Sequence, residues 1–316
     1  MIGRQLVKQL LNEGADILGV SLDSIDKKNF PEWNHIKFIN GDLRNFDFCK
    51  KITQGKDMIF HVAGIKGSPM MTAKQPNTFF VNTSMFNLNM IESARLNNVS
   101  KFLYTSSIGV YSPESNYQED SVWNSFPSPN DKFAGWAKRM GELQLEAARI
   151  EYGAPEIYII RPANVYGPWD NFNPNNAMVI PSLISRIVSG ENPLKVWGDG
   201  SSIRDFVHAE DAARAMIYAV INGIHEPINV GSGVGISILE IVNILSKYTP
   251  KLKVEWDSTK PAGDKSRVLD MNKLFDFGFN LTIPLEEGIH DTLEWYRTNK
   301  IQTQLRYNAF EEAKRK

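Results

Sequence analysis

The chain of 316 residues is 42% apolar and 22% charged, with a formal net charge of −1 at pH 7; it can bury one large core or two moderate ones, and it lacks the basic excess that nucleic acid requires. Its single cysteine, Cys49, excludes internal disulfides and thiolate metal clusters and fits a reducing compartment. No apolar run approaches the roughly 20 residues of a membrane span, and the start has no secretory core, so a cytoplasmic protein with no membrane or nucleic-acid partner is expected.

Leu6, Val7, Leu10 and Leu11 form the buried stripe of a first helix. Asn12-Glu13-Gly14 stops it, and Ile17 to Asp23 reads as a short buried strand ending in an acid. This is the second half of a β-α-β dinucleotide unit. The complete unit begins with an apolar strand and a Gly-x-x-Gly-x-x-Gly turn, because only glycine lets backbone amides approach a pyrophosphate at the helix N-terminus. Only the last of those glycines, Gly3, is recognisable, so the first strand and glycine-rich turn are expected to be missing, with weak NAD binding as the result. Asp23 follows Gly3 by 20 positions, the usual interval to the carboxylate that accepts from the adenosine ribose. Alone, the two residues read as a helix glycine and a turn acid.

Strands follow at Ile36–Ile39, leading to Gly41-Asp42-Leu43, and at Met58, leading to His61-Val62-Ala63-Gly64. A helix from Asn82 to Asn97 precedes a strand from Lys101 to Ser107, and another strand, Glu156–Ile160, ends in Arg161-Pro162-Ala163-Asn164. Strands alternating with helices predict an α/β fold, a Rossmann-type doubly wound parallel sheet with its polar loops at one edge. Residues 1–165 form the dinucleotide-binding domain. Residues 166–300, with long loops around Trp169 and Trp197 and helices near 237–248 and 285–299, form a smaller substrate lobe interleaved with it. Residues 301–316 read as a basic tail, a solvated helix or disordered. Asp199-Gly200 reads as a hairpin turn. His61 and His208 lack metal-ligand spacing and read as structural, so no metal is predicted.

Seven segments in order carry a family resemblance: Gly41-Asp42-Leu43, His61-Val62-Ala63-Gly64, Val81-Asn82-Thr83, Thr105-Ser106-Ser107-Ile108-Gly109-Val110-Tyr111, Lys138 with Glu142, Arg161 to Pro168, and Arg204 to Asp211. The chain resembles the extended short-chain dehydrogenase/reductase family, the NAD-dependent epimerases, dehydratases and reductases of sugar nucleotides. Asp170 to Pro174, Val179-Ile180-Pro181 and Lys260-Pro261-Ala262-Gly263 look most like GDP-sugar enzymes such as the GDP-fucose synthases. The resemblance implies NAD rather than NADP, held by Gly3, Asp23, Asp42, Leu43, Val62, Ala63, Gly64, Asn82 and Lys138. It implies a nucleotide-sugar substrate held by Ser107, Asn164 and Arg204, with Arg267 a further candidate; arginine suits a diphosphate through its bidentate fork. The bland reading pairs Arg204 with Asp205 or Asp211. A homodimer through the helices at 82–97 and 132–151 is implied by the same analogy.

In such enzymes a hydride moves between a sugar carbon and nicotinamide while a hydroxyl proton moves the other way. A phenol, ordinarily near ~10, does this when an ammonium nearby favours phenolate. The resemblance implies that Lys138 supplies the ammonium and that Ser107 binds the reacting sugar oxygen, and the tyrosine position, 134, is alanine. Phe133 has nothing to ionise; Tyr111 is a conceivable substitute. Ile108 and Gly109 stand where 4,6-dehydratases carry an Asp-Glu pair, and Gly109 and Met178 where double epimerases carry Cys and His. What remains is oxidation, reduction or 4-epimerisation of an NDP-hexose, GDP-sugars favoured, with impaired proton transfer. The alternative is a catalytically inactive member that binds a sugar nucleotide or a protein.

Overall fold

The computed structural model describes residues 1–23, 30–65, 67, 69–153, 155–173, 175–260, 263–300 and 308–312. The first half runs α1 (Ile2–Asn12), β1 (Leu18–Ser21), β2 (Lys37–Asn40), α2 (Phe46–Thr53), β3 (Met58–His61), α3 (Pro69–Lys74), α4 (Pro76–Leu96), β4 (Lys101–Thr105), α5 (Lys132–Tyr152) and β5 (Glu156–Pro162). The chain continues through β6 (Asn164–Tyr166), α6 (Val179–Val188), β7 (Leu194–Trp197), β8 (Ile203–Arg204), β9 (Phe206–His208), α7 (Ala209–Ile221) and β10 (Ile228–Val230). It ends with β11 (Ile236–Ser237), α8 (Ile238–Lys247), β12 (Val254–Asp257), β13 (Ser266–Arg267), α9 (Asn272–Asp276), α10 (Leu285–Asn299) and α11 (Ala309–Glu312).

The period-2 alternation of β4 and β5 gives the sheet two buried faces. Phe102, Tyr104, Ile157 and Ile159 pack under Ile52 of α2, Met90 and Ile91 of α4 and Leu145 of α5. Leu103, Tyr158 and Ile160 point the other way, under Leu6 of α1 and the small side chains Ala212, Ala213 and Ala219 of α7. Helices thus cover both faces of a parallel sheet ordered β10-β5-β4-β3, the doubly wound α/β arrangement predicted from the sequence. β1 and β2 form a separate parallel pair. Among the described residues β1 pairs only with β2 and β3 only with β4, and both strands open onto one cavity.

The later residues build a second core from Leu183 and Ile184 of α6, Leu194 and Val196 of β7, Ile241 and Leu245 of α8, and Ile289 and Leu293 of α10. The chain returns to the main sheet through α7 and β10, so the two regions are interleaved. α8 opens with a capping box, Ser237 and Glu240 satisfying each other's backbone N–H. No helix among the described residues is long and apolar enough to cross a membrane.

Three expectations change. Trp197-Gly198-Asp199-Gly200 is not a hairpin: β7 runs parallel to β12 and β8 lies in another sheet, so the turn connects sheets. α4 begins at Pro76, six residues before the expected Asn82, because proline suits the first helical turn, where the missing N–H costs nothing. In the tail, 301–307 and 313–316 lie outside the described residues, but α11 is anchored on the fold: Phe310 is fully buried and stacks on Phe79, while Glu311 is exposed.

Candidate active site

Two side-chain fasteners set the site. Arg161 of β5 and Glu142 of α5 form a fully buried ion pair at 2.7 Å. Glu142 also accepts from Ser106 Oγ at 2.5 Å, and Arg161 donates to the Glu119 carbonyl at 2.7 Å. Ser106 precedes Ser107, and Glu142 lies one helical turn beyond Lys138, so the pair fixes the register between the end of β4 and α5. The second fastener is a close approach: a side chain on Gly135 would collide with the Gly109 carbonyl and Pro127. Glycine there lets α5 lie against the Ser107–Gly109 turn.

Lys138 Nζ donates to the Thr105 carbonyl at 2.7 Å and lies 5.2 Å from the Tyr104 ring centre. Burial, against the pull of Glu142, pushes the ammonium down to about 8. Beneath it runs a buried chain: Tyr104 hydroxyl donates to the Lys138 carbonyl at 3.2 Å and accepts from Asn87 at 2.9 Å, and Asn87 Oδ1 meets His61 Nε2 at 2.9 Å. Burial, reinforced by the Lys138 charge, pushes His61 down to about 4, so it is neutral and structural. Ser107 Oγ accepts the Gly109 N–H at 3.0 Å. Ala134 lines the cavity with Ser107, Asp131 and Lys138.

Tyr111 does not stand in for the absent phenol. It is buried, its hydroxyl donates to Asn229 Oδ1 at 2.6 Å, and burial drives its pKa well above the ordinary phenol value.

The structure gathers every sequence-predicted site residue around one cavity of about 2300 Å³: Gly3, Asp23, Asp42, Leu43, Val62, Ala63, Gly64, Asn82, Ser107, Lys138, Asn164, Arg204 and Arg267 all line it. It exceeds an ordinary ligand pocket, up to roughly 1,000 Å³, because it continues between Leu18–Ser21 and Met58–His61. Gly3 sits in the first turn of α1, where an added Cβ would stand 3.4 Å from Val62. Asp23 follows β1, and its carbonyl accepts from Asn40. Arg44, which sequence reading missed, joins two candidates: it holds the Asp42 carboxylate at 2.6–3.0 Å and donates to Asn82 Oδ1 at 3.1 Å. Thr105 was missed too; its buried hydroxyl has no partner among the described residues and it lines the cavity.

Arg204 and Arg267 are register partners on the parallel strands β8 and β13, which sets two guanidiniums side by side at the cavity. Burial and the Arg267 charge lower the pKa of Arg204. Arg267 is ion-paired to Asp131 and Asp264. The carboxylates suggested as structural partners of Arg204 are engaged elsewhere, Asp205 by Ser232 and the Gly233 N–H, Asp211 by Arg214 and Thr282. Asn164 donates one amide N–H to the Asp205 carbonyl at 2.9 Å, which leaves its second N–H for a ligand.

A carboxylate at a strand end, glycine at a helix start, an unpartnered hydroxyl and a buried ammonium fit the donor set of a dinucleotide. Residues 1–231 match the NAD dependent epimerase/dehydratase family model. The chain is 30% identical over 263 residues to GDP-L-fucose synthase of Escherichia coli K12, covering 77% of this chain and 81% of that protein. It is 32% identical over 237 residues to a probable GDP-L-fucose synthase 1 of Oryza sativa subsp. japonica, covering 72% and 71%. The solved structure of UDP-N-acetylglucosamine 4-epimerase from Methanobrevibacter ruminantium M1, in complex with UDP-N-acetylmuramic acid, superposes with a TM-score of 0.83 at 27% identity, over 95% of this chain and 96% of that one. The chain therefore belongs to the NAD-dependent epimerase/dehydratase family, whose members include sugar-nucleotide epimerases, dehydratases and reductases.

Proposed function

We propose that this protein binds NAD and a nucleoside-diphosphate hexose in the single cavity and catalyses oxidation, reduction or 4-epimerisation at a sugar carbon, with GDP-sugars favoured. The observation that carries the reading is the Arg204–Arg267 register pair, which lines the same cavity as Ser107, Lys138 and the candidate dinucleotide residues. Arg267 is already paired with Asp131 and Asp264, and the fork of Arg204 beside it suits charge-assisted bonds to diphosphate oxygens. Bound NAD supplies the hydride acceptor or donor. The chain does the rest: Lys138 donates to the nicotinamide ribose, Ser107 orients the reacting sugar oxygen, and Asn164 and Arg204 hold the diphosphate side. GDP is favoured by the GDP-L-fucose synthase and GDP-L-colitose synthase relatives.

A second reading, a sugar-nucleotide or protein binder without turnover, is favoured by Ala134, which removes the phenol. Titration calorimetry with NAD and with GDP- and UDP-hexoses, followed by absorbance at the reduced-nicotinamide band and sugar analysis, separates the two. Turnover supports the first; binding without turnover supports the second; no binding of any sugar nucleotide sinks both.

A homodimer through α4 and α5 fits the exposed apolar rows Val81, Met85 and Leu88 on one helix and Met140 and Leu143 on the other. Light scattering is expected to give twice the chain mass. The lone thiol, Cys49, is buried and pushed up to about 12 by that burial, which suits a cytoplasmic, reducing setting but does not require one.

A further inference from the structure

Given the sugar-nucleotide reading above, on which this inference rests, we propose that Asp131 takes the proton of the reacting sugar hydroxyl, doing from one turn earlier on the same helix what a tyrosine at position 134 would do.

Asp131 is the residue preceding α5, three positions before Ala134 and seven before Lys138, so the three share one face of the helix. All three line the cavity with Ser107. The point where a Cβ on Gly109 would sit lies 3.4 Å from Ser107 Oγ and 3.6 Å from Asp131 Oδ2, the oxygen that Arg267 also holds, so serine and carboxylate flank the same small space. The Asp131 side chain is 26% exposed, open to a ligand in the cavity. Ala134, between Asp131 and Lys138 in the chain, contributes only a methyl group to the cavity wall.

Arg267, the cation beside Asp131, has a second carboxylate partner. Arg267 lies between Asp131 and Asp264. Asp264 accepts from Ser128 Oγ at 2.9 Å and Asn130 Nδ2 at 2.6 Å as well as from Arg267. Burial alone would raise the Asp264 carboxyl, but Arg267 and these donors hold it below its ordinary value. Arg267 therefore keeps a charged partner while Asp131 gains or loses a proton. The other ionisable candidates fail: Tyr111 is locked on Asn229, and Lys138, as an ammonium, has no lone pair with which to accept.

In the oxidation direction the sugar O–H bond breaks and its proton passes to the Asp131 carboxylate, directly or through Ser107 Oγ. NAD, when bound, would supply the acceptor for the hydride on the same carbon, and the carbinol would become a ketone. Reduction returns both.

The test compares the wild-type protein with Asp131→Asn, Asp131→Ala, Ala134→Tyr and the Asp131→Asn/Ala134→Tyr double variant. It measures NAD and GDP-hexose affinity by calorimetry and turnover across sugar nucleotides. Asp131→Asn is expected to lose roughly 100-fold or more in kcat while its sugar-nucleotide Kd stays within about threefold, the split of an interaction made only in the transition state. Added formate is expected to rescue Asp131→Ala, which a structural loss would not permit, and Ala134→Tyr is expected to restore turnover in the Asp131→Asn background. Asp131→Asn within threefold of the wild-type kcat overturns the proposal. So does a wild-type protein that binds sugar nucleotide without turnover, although the binding reading then stands. Absence of sugar-nucleotide binding removes the functional reading itself and this inference with it.

Discussion

Arg161→Met tests whether the buried pair with Glu142 holds the site together. Both side chains are at most 3% exposed, so the substitution leaves an ionised carboxylate in the core with Ser106 as its nearest remaining donor. Removing one partner of such a pair costs about 3–5 kcal/mol, most of it the penalty of the stranded charge. With an unfolding entropy of about 2.1 cal/mol/K per residue, a chain of 316 residues loses about 6 °C of Tm for about 4 kcal/mol. Scanning calorimetry measures this, and Arg161→Met/Glu142→Leu supplies the control, because taking away the second charge is expected to recover at least half the loss. A single variant within about 1 °C of the wild type, or a double variant less stable than the single, would falsify the account. The single variant is also expected to lose turnover beyond its loss of folded protein, since the pair sets Ser107 against Lys138.

The Lys138 ammonium is pushed down to about 8 from 10.5, so between those values the unfolded chain holds a proton that the folded chain has released. Its contribution to stability therefore rises with pH from about 8 to about 10.5. Lys138→Met is expected to be more stable than the wild type below pH 8, by no more than about 3 kcal/mol, with the difference shrinking across that window. A constant difference in Tm from pH 7 to 10.5 would contradict the depressed pKa. Gly135→Ala is expected to destabilise by about 1–3 kcal/mol even though alanine favours helix, because the new methyl meets the Gly109 carbonyl and Pro127. A neutral or stabilising result by urea denaturation would mean α5 does not need that approach.

The alternation of strands and helices was legible because hydrophobic period is a local signal, and the site loops followed because each lies just beyond a strand. Residues whose placement depends on distant partners were not legible. Arg44 bridges Asp42 to Asn82 across 38 positions, and neither the apolar pattern nor any short motif marks it. Tyr111 looked available because its motif places it near a strand end; its withdrawal depends on Asn229, far along the chain. The hairpin expected at Asp199-Gly200 failed for the same reason, since β7 takes its partner from residues 254–257. Phe310 shows how one aromatic in a polar segment outweighs its neighbours' composition: its ring fills the space left by Gly67 and stacks on Phe79. α4 was begun late because residues 76–81 lack a clean apolar stripe, although Pro76 was a readable start signal.

The break between β1 and β3 bears on how the protein behaves as a material. Edge strands at a sheet's rim are commonly guarded by charge, proline or a covering helix. Here two short parallel edges of mainly apolar residues, Leu18–Ser21 and Met58–His61, open onto the centre of the fold. Their cavity-side amides are candidates for the fastest exchange with deuterated solvent within the strands.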